Sequence, residues 1–160
     1  MKKILKSAAL AVFAVILLCG CTVTKTKESS LTFNVTTGDQ IKVTLNRIDG
    51  YKMDSKSPFT VSKDDKDIMT GSFVTKDGYD QYYNLVRELD KEDDSDTEII
   101  KEGTKDNNSY IMYKVTSDDK TEYDFIIMID DSQTGVLLGC LESEDAAKSC
   151  FEALKFECVK

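Results

Sequence analysis

Five cysteines, twenty-nine carboxylates and seven tyrosines are the side chains through which this 160-residue chain could do chemistry, and no histidine stands among them. Histidine is the usual general base near neutral pH and the commonest transition-metal ligand. Its absence excludes Ser-His-Asp and Cys-His catalysis, H-E-x-x-H zinc sites and phosphohistidine chemistry. An Asp, Glu, Lys or Cys with a shifted pKa would have to serve instead. No G-x-S-x-G, P-loop or G-x-G-x-x-G pattern occurs. These residues predict no enzyme, no metal site and no cofactor.

The acidic runs have simpler explanations than ion binding. Asp90 to Glu98 (DKEDDSDTE) superficially suggests a calcium loop, and from Asp94 the residues Asp96 and Glu98 fall at suitable spacing. Ile99 then replaces the glycine of the turn, and Lys105 stands where the closing glutamate belongs. Lys91–Glu98 reads as a solvated connection. Asp64-Asp65, Asp118-Asp119 and Asp130-Asp131 read as turn formers. Tyr79, Tyr82 and Tyr83 recur at helical spacing, which predicts core rather than a ligand platform.

The cysteines divide by position. Lys2, Lys3 and Lys6 precede an apolar run from Ala8 to Leu18, eleven residues long, which is the length of a signal peptide. A membrane-spanning helix needs about 20 apolar residues. The run closes on Leu18-Cys19-Gly20-Cys21, which resembles the lipobox of bacterial lipoproteins: an aliphatic residue three before the cysteine and a small residue just before it. That resemblance implies cleavage after Gly20 and lipidation of Cys21. It places the mature chain on the extracytoplasmic face of the cell membrane. Two acyl chains of the palmitate kind would anchor it stably, where one would be marginal. Cys140, Cys150 and Cys158 remain, an odd number without a C-x-x-C, so at least one thiol stays unpaired within the chain.

Residues 1–20 hold three lysines and no acid, so residues 21–160 carry 18 basic against 29 acidic side chains, a balance of −11. That argues against a nucleic-acid partner and leaves cationic partners open. Thr22–Ser30 is polar and aperiodic, a tether reaching about 30 Å if extended. Residues 31–160 suffice for one domain with a real core.

Periodicity gives the domain its elements. Leu31, Phe33, Val35 and then Ile41, Val43, Leu45 alternate with polar residues around Thr37-Gly38-Asp39, which predicts a hairpin. A loop over Tyr51–Pro58 precedes a second hairpin, Phe59–Ser62 and Asp67–Thr75. Asp77 is the expected cap of a helix running to about Asp90. Strands follow at Ser109–Thr116, Glu122–Asp130 and Val136–Glu142. Ser143 caps a last helix with the stripe Ala146, Ala147, Cys150, Phe151 and Leu154. Phe125–Ile129 and Val136–Leu138 are apolar on both faces, so these strands belong at the centre of an antiparallel sheet covered on both sides. The caps Asp77 and Ser143 each follow an acidic tip, Asp64 or Asp130, by thirteen residues, a faint internal repeat.

The segments SPFTVSKDDKDIMTGSF, DGYDQYYNLV and DSQTGVLLGCLESEDAAKSCFEAL, in this order, resemble the PsbP-like superfamily over most of residues 31–156. The resemblance implies an α+β fold: a central antiparallel sheet covered by helices and an N-terminal hairpin, an α/β/α sandwich. Relatives act as extrinsic assembly factors at photosynthetic membranes or as a protein-binding nuclear transport factor, so binding proteins is the implied role. Histidines tied to metal binding in photosynthetic relatives have no counterpart here, and no functional residue carries over.

The expected function is a lipid-anchored, non-catalytic interaction or assembly module for a protein or envelope component. The alternative is a solute-binding lipoprotein with a pocket between sheet and helices. Gly139 predicts that Leu137, Gly139 and Leu141 face the last helix, since a missing side chain permits close approach. Cys140 and Cys150 then lie on opposite sides, unbonded, as small buried hydrophobes. The sequence leaves the redox state of the three thiols open. Changing Cys21→Ser removes the sulfur that lipidation requires. Metabolic labelling with a fatty-acid analogue should mark the parent protein and leave the variant blank.

Overall fold

A computed structural model describes residues 27–159. The signal segment, Cys21 and the tether through Thr26 lie outside the described residues. The strands are β1 (Glu28–Asn34), β2 (Gln40–Asn46), β3 (Tyr51–Met53), β4 (Phe59–Lys63) and β5 (Lys66–Thr75), followed by helix α1 (Lys76–Leu89). Then come β6 (Thr97–Lys105), β7 (Asn108–Ser117), β8 (Lys120–Met128), β9 (Thr134–Cys140), helix α2 (Glu144–Ala153) and β10 (Leu154–Val159). The protein is α+β, with strand the larger part and all neighbouring strands antiparallel.

Acidic turns set the hairpins. Asp64 and Asp65 take φ of 53° and 59°, and Asp106 and Asn107 take 50° and 68°. Two successive left-handed residues match the right-handed twist of the strands they join, and Asp and Asn adopt that conformation more readily than other side chains. Seven strands form one sheet in the order β3-β4-β5-β9-β8-β7-β6. β9 and β8 are central in it, as their two-sided apolar runs require.

Several expectations need correction. Glu28–Ser30, expected in the tether, already pairs with Thr44–Asn46. The Tyr51–Pro58 loop contains the short edge strand β3. Thr75, not Asp77, caps α1: its hydroxyl accepts from the Gly78 amide at 3.2 Å, and Asp77 sits in the first turn. The equal cap spacings therefore dissolve, since Thr75 and Ser143 are not equidistant from the acidic tips. The charged connection ends early, because β6 starts at Thr97 and runs along the sheet edge. Charges at Glu98, Lys101, Glu102 and Lys105 hid this strand and suit an edge exposed to water.

The largest correction concerns the hairpin layer. Leu154 closes the helical stripe but opens β10, in which Leu154, Phe156 and Cys158 alternate with Lys155 and Glu157. β10 pairs along β2, giving a second sheet in the order β1-β2-β10. This sheet and α2 cover one face of the large sheet, and α1 covers part of the other. The first face is thus closed by a helix and a sheet together. Ile41, Val43 and Leu45 of β2 are fully buried there. Phe33, Phe59 and Phe73 meet with ring centroids 5.1–5.7 Å apart, and Phe151 of α2 stacks on Phe125 at 4.4 Å.

Polar struts join the two sheets. Gln133 N–H and the Thr134 hydroxyl both donate to Asp39 Oδ2 at 2.8 Å, and the Thr37 and Thr134 hydroxyls meet at 2.7 Å. The Gln133 amide, followed by the Thr134 hydroxyl, holds the Asp39 carboxyl below its ordinary pKa. Elsewhere Asn108, 4% exposed, donates from Nδ2 to Phe156 O at 2.9 Å and accepts at Oδ1 from Asp130 N–H at 2.8 Å. The Lys105 ammonium donates to Leu154 O. Truncating Asn108→Ala strands the buried Phe156 carbonyl and removes the acceptor of the part-buried Asp130 amide, which should cost about 2 kcal/mol. Urea unfolding of both forms measures this; a loss below about 0.5 kcal/mol, the scatter of ordinary surface changes, contradicts it.

Candidate functional site

The two faces of the large sheet are finished differently. α1 has fourteen residues and so spans about 21 Å, whereas seven strands at about 4.8 Å spacing extend about 29 Å from edge to edge. Its buried side, Tyr79, Tyr83 and Val86, meets Ile126, Leu137 and Ile99. Gly135 lets the helix in closely, since a Cβ there would stand 2.9 Å from Tyr79 Cβ. The end of this face bearing Thr70, Gly139, Leu141, Glu122 and Val115 is left without a covering element among the described residues.

Strand register places the polar side chains of the uncovered part. Tyr113 lies opposite Asp124, Asp124 opposite Gly139, and Gly139 opposite Thr70. Directly opposed residues share a face, so this row crosses four strands on the α1 side. Glu122 lies two residues from Asp124 and projects from the same side. A Cβ on Gly139 would come within 2.8 Å of Glu122 Oε1 and 3.2 Å of Asp124 Oδ1. Two carboxyl groups therefore lie over the space that a side chain would otherwise occupy.

Asp124 is held in an unusual state. Its Oδ1 is buried and has no hydrogen-bond partner. Burial first, and then the charge of Glu122, push its pKa up to about 7, against a lowering hydrogen bond with Tyr113. Burial and the neighbouring Asp124 raise the Tyr113 phenol in turn, and Tyr82 is near enough to contribute. The arrangement can keep a proton on a carboxyl near neutral pH, and it leaves one buried acceptor without a donor inside the fold.

The rim is apolar. Leu141 is 67% exposed and lies between two open depressions of about 450 and 160 Å³, both of which also touch Glu122. On α1, Tyr82 and Leu85 are 44% and 49% exposed. By helical period they share one flank with Leu89, and the effect of Tyr82 on Tyr113 puts that flank beside the uncovered sheet. Tyr82 is thus no core residue, unlike Tyr79 and half-buried Tyr83. By contrast, the void under α2 lined by Phe151, Leu154 and Phe156 measures about 10 Å³, room for at most one water.

The residues singled out from sequence lie elsewhere. Cys21 is outside the described residues. Asp90 Oδ1 accepts from Ile99 N–H at 2.7 Å, so it caps the entry to β6. Among the described residues, no three His, Cys, Asp or Glu side chains gather as a metal would need. The strand-face assignment from Gly139 is reversed: Val136, Leu138 and Cys140 face the α2 layer, and Cys150 lies in the same cluster. The gap over Gly139 admits two carboxyls on the other side, not a helix. Cys140 and Cys150 are nonetheless free buried thiols. Burial, then Cys140, pushes Cys150 up to about 12; burial also raises Cys140, opposed by the amides of Glu142 and Ser143. Neither is a ready nucleophile.

Glu122, Asp124 and Tyr113 did not stand out from the sequence, and Leu141, expected against the last helix, is exposed instead. One signal was available: an acid at 124 directly before the buried run Phe125–Ile127 of a central strand, where a carboxylate is costly without a partner. The titration of Asp124 sets the sign of its effect on stability. An unfolded Asp titrates near 3.9, so between about pH 4 and pH 7 the folded chain holds an extra proton. This contribution is complete below about pH 4 and is lost as pH rises through 7. Asp124→Asn should therefore be the more stable form at pH 8, by a few kcal/mol at most, with the gap shrinking toward pH 5. Melting temperatures of both proteins across that range give the answer; parallel curves would refute it.

Compared with protein-family models and with curated proteins, the chain matches none.

Proposed function

We propose that this chain is a lipid-anchored, extracytoplasmic interaction module without catalytic activity, held to the cell membrane through Cys21. The observation that carries the reading is the uncovered half of the α1 face. Tyr82, Leu85 and Leu141 are exposed around it, while the opposite face is closed by α2 and the small sheet. Large apolar side chains left exposed together on one face are the usual mark of a surface that meets a partner. The order of hairpin, antiparallel sheet and one helix on each face supports a PsbP-like domain, in which binding proteins is the common role.

A solute carrier is the weaker reading. Ligand pockets usually enclose about 300 Å³ or more between elements, and the layer under α2 holds a void of about 10 Å³. The larger depressions, of about 450 and 160 Å³ beside Leu141 and about 310 Å³ between the small sheet and the end of α2, are open troughs on the surface. A photo-crosslinking amino acid placed at Leu141, and at Thr32 on the outer face of the small sheet, separates the readings in cells. A discrete protein adduct from position 141 alone is expected. No protein adduct at 141, or equal adducts at both positions, overturns the proposal.

A further inference from the structure

The interaction reading leaves the chemistry of the partner open, and the uncovered face narrows it. We infer that this trough receives a basic amphipathic segment of another protein, with apolar side chains on Leu141, Tyr82 and Leu85 and a lysine or arginine reaching Glu122 and Asp124. The inference rests on the proposed function and adds the class of partner.

Three features of the face carry it. Exposed apolar side chains accompany the trough: Leu141, just past the end of β9, lines both depressions, and Tyr82 and Leu85 are exposed on α1. Between them the carboxyls of Glu122 and Asp124 lie together over Gly139, and Asp124 Oδ1 lacks a donor. A guanidinium or ammonium group over Gly139 would pair with the Glu122 carboxylate in a charge-assisted bond stronger than a neutral one, and its charge would favour the ionised form of the neighbouring Asp124. The surroundings are acidic on balance: Asp118 and Asp119 line the larger depression with Lys120, and Asp67 and Glu142 line the smaller, where Glu142 accepts from the Lys66 ammonium at 2.6 Å.

Charge also decides among occupants. A second copy laid on this face would set Glu122 and Asp124 against their own counterparts, at the cost of like-charge repulsion. An anionic lipid surface is repelled in the same way. A small cation alone would leave the apolar rim wet. A segment that alternates basic and apolar side chains satisfies both features. The titratable groups facing Asp124 are Glu122 beside it on β8, Tyr113 on β7 and Tyr82 on α1; Asp67 and Glu142 stand at the far rim. Because Asp124 ionises near neutrality, such a segment should bind more tightly at pH 8 than at pH 6.

The test uses the lipidated protein purified in a non-ionic detergent and a fluorescent helical peptide of leucine and lysine, with a glutamate-for-lysine counterpart as control. Anisotropy reads affinity, and hydrogen exchange on the unaltered protein reads location. Protection is expected at residues 113–124, at Leu141 and along α1 near Tyr82. Glu122→Lys and Leu141→Asp should each weaken binding by about tenfold or more, the size of a central interface residue. Asp64→Lys at a remote hairpin tip should change it less than about twofold, which separates a site from bulk attraction between opposite charges. The tightening from pH 6 to pH 8 should vanish in Asp124→Asn. Equal losses in the tip variant, equal binding of the acidic peptide, or protection elsewhere overturns the inference. So does a self-association or vesicle binding that buries Leu141. An adduct at position 141 in cells whose captured segment is acidic or neutral would sink the basic partner while leaving the interaction module standing.

Discussion

The pairing of β10 with β2 is the contact on which the layered structure depends. A two-stranded hairpin is marginal in water and too narrow to cover a seven-stranded sheet. The last strand of the chain widens it to three strands, with β2 at the centre, where Ile41, Val43 and Leu45 lose all exposure. Phe156 and Leu154 complete the inner side. Because β10 follows directly on α2, the helix is also held against the sheet, with Phe151 between Tyr110 and Phe125. The outer edge of β10 would leave carbonyls unpaired; Lys105 and Asn108 from the large sheet reach them. The Asp39–Thr134 bonds tie the hairpin turn to the β8–β9 turn. Hydrophobic burial brings the sheets together, and these directional bonds fix where they stop.

Closing one face this thoroughly leaves the other unfinished. β5 and β9 are neighbours, each leading into a helix, yet α1 and α2 leave for opposite faces. The three-stranded sheet joins α2, whereas α1 has no companion. A single four-turn helix cannot cover seven strands, so the large sheet keeps an exposed half with Leu141 on it. Polar side chains fill the transition between the covered and open parts. Tyr113, Asp124 and Glu122 lie there, and Asp124 carries the cost of being half sheltered without a full set of partners. An unsatisfied acceptor beside an apolar rim does little for the stability of the chain alone, and this is why binding is the reading the face supports.

The thiols belong to the closed side. Cys140 and Cys150 share the α2 layer, where burial keeps both protonated. Their small volume suits the approach of a helix to a sheet, with Ala147 fully buried on the same helix. Reactivity at those positions would require the layer to open.

Alternation and period alone were enough to locate the first two hairpins, both helices, the Ser143 cap and the central place of Phe125–Ile129 and Val136–Leu138, because each of these is written in neighbouring residues. The lipobox-like pattern that ends at Cys21 is local in the same sense, made of charge, apolar length and a small residue, and the anchoring it implies is part of the proposed function. β6 and β10 were missed for different reasons. The first is an edge strand whose charges mask its pattern, despite the Asp106-Asn107 turn behind it. The second begins on Leu154, which also fits the helical stripe. What only the tertiary structure decided is which face each strand turns to which layer. Gly139 could admit a helix or a pair of carboxyls, and period two permits either assignment. The choice falls to the packing of distant segments: β10 returns to β2 and commits Val136, Leu138 and Cys140 to the closed side, leaving Gly139, Glu122 and Asp124 on the open one. The open face gathers residues from four strands, and no local pattern in a sequence records that such residues meet.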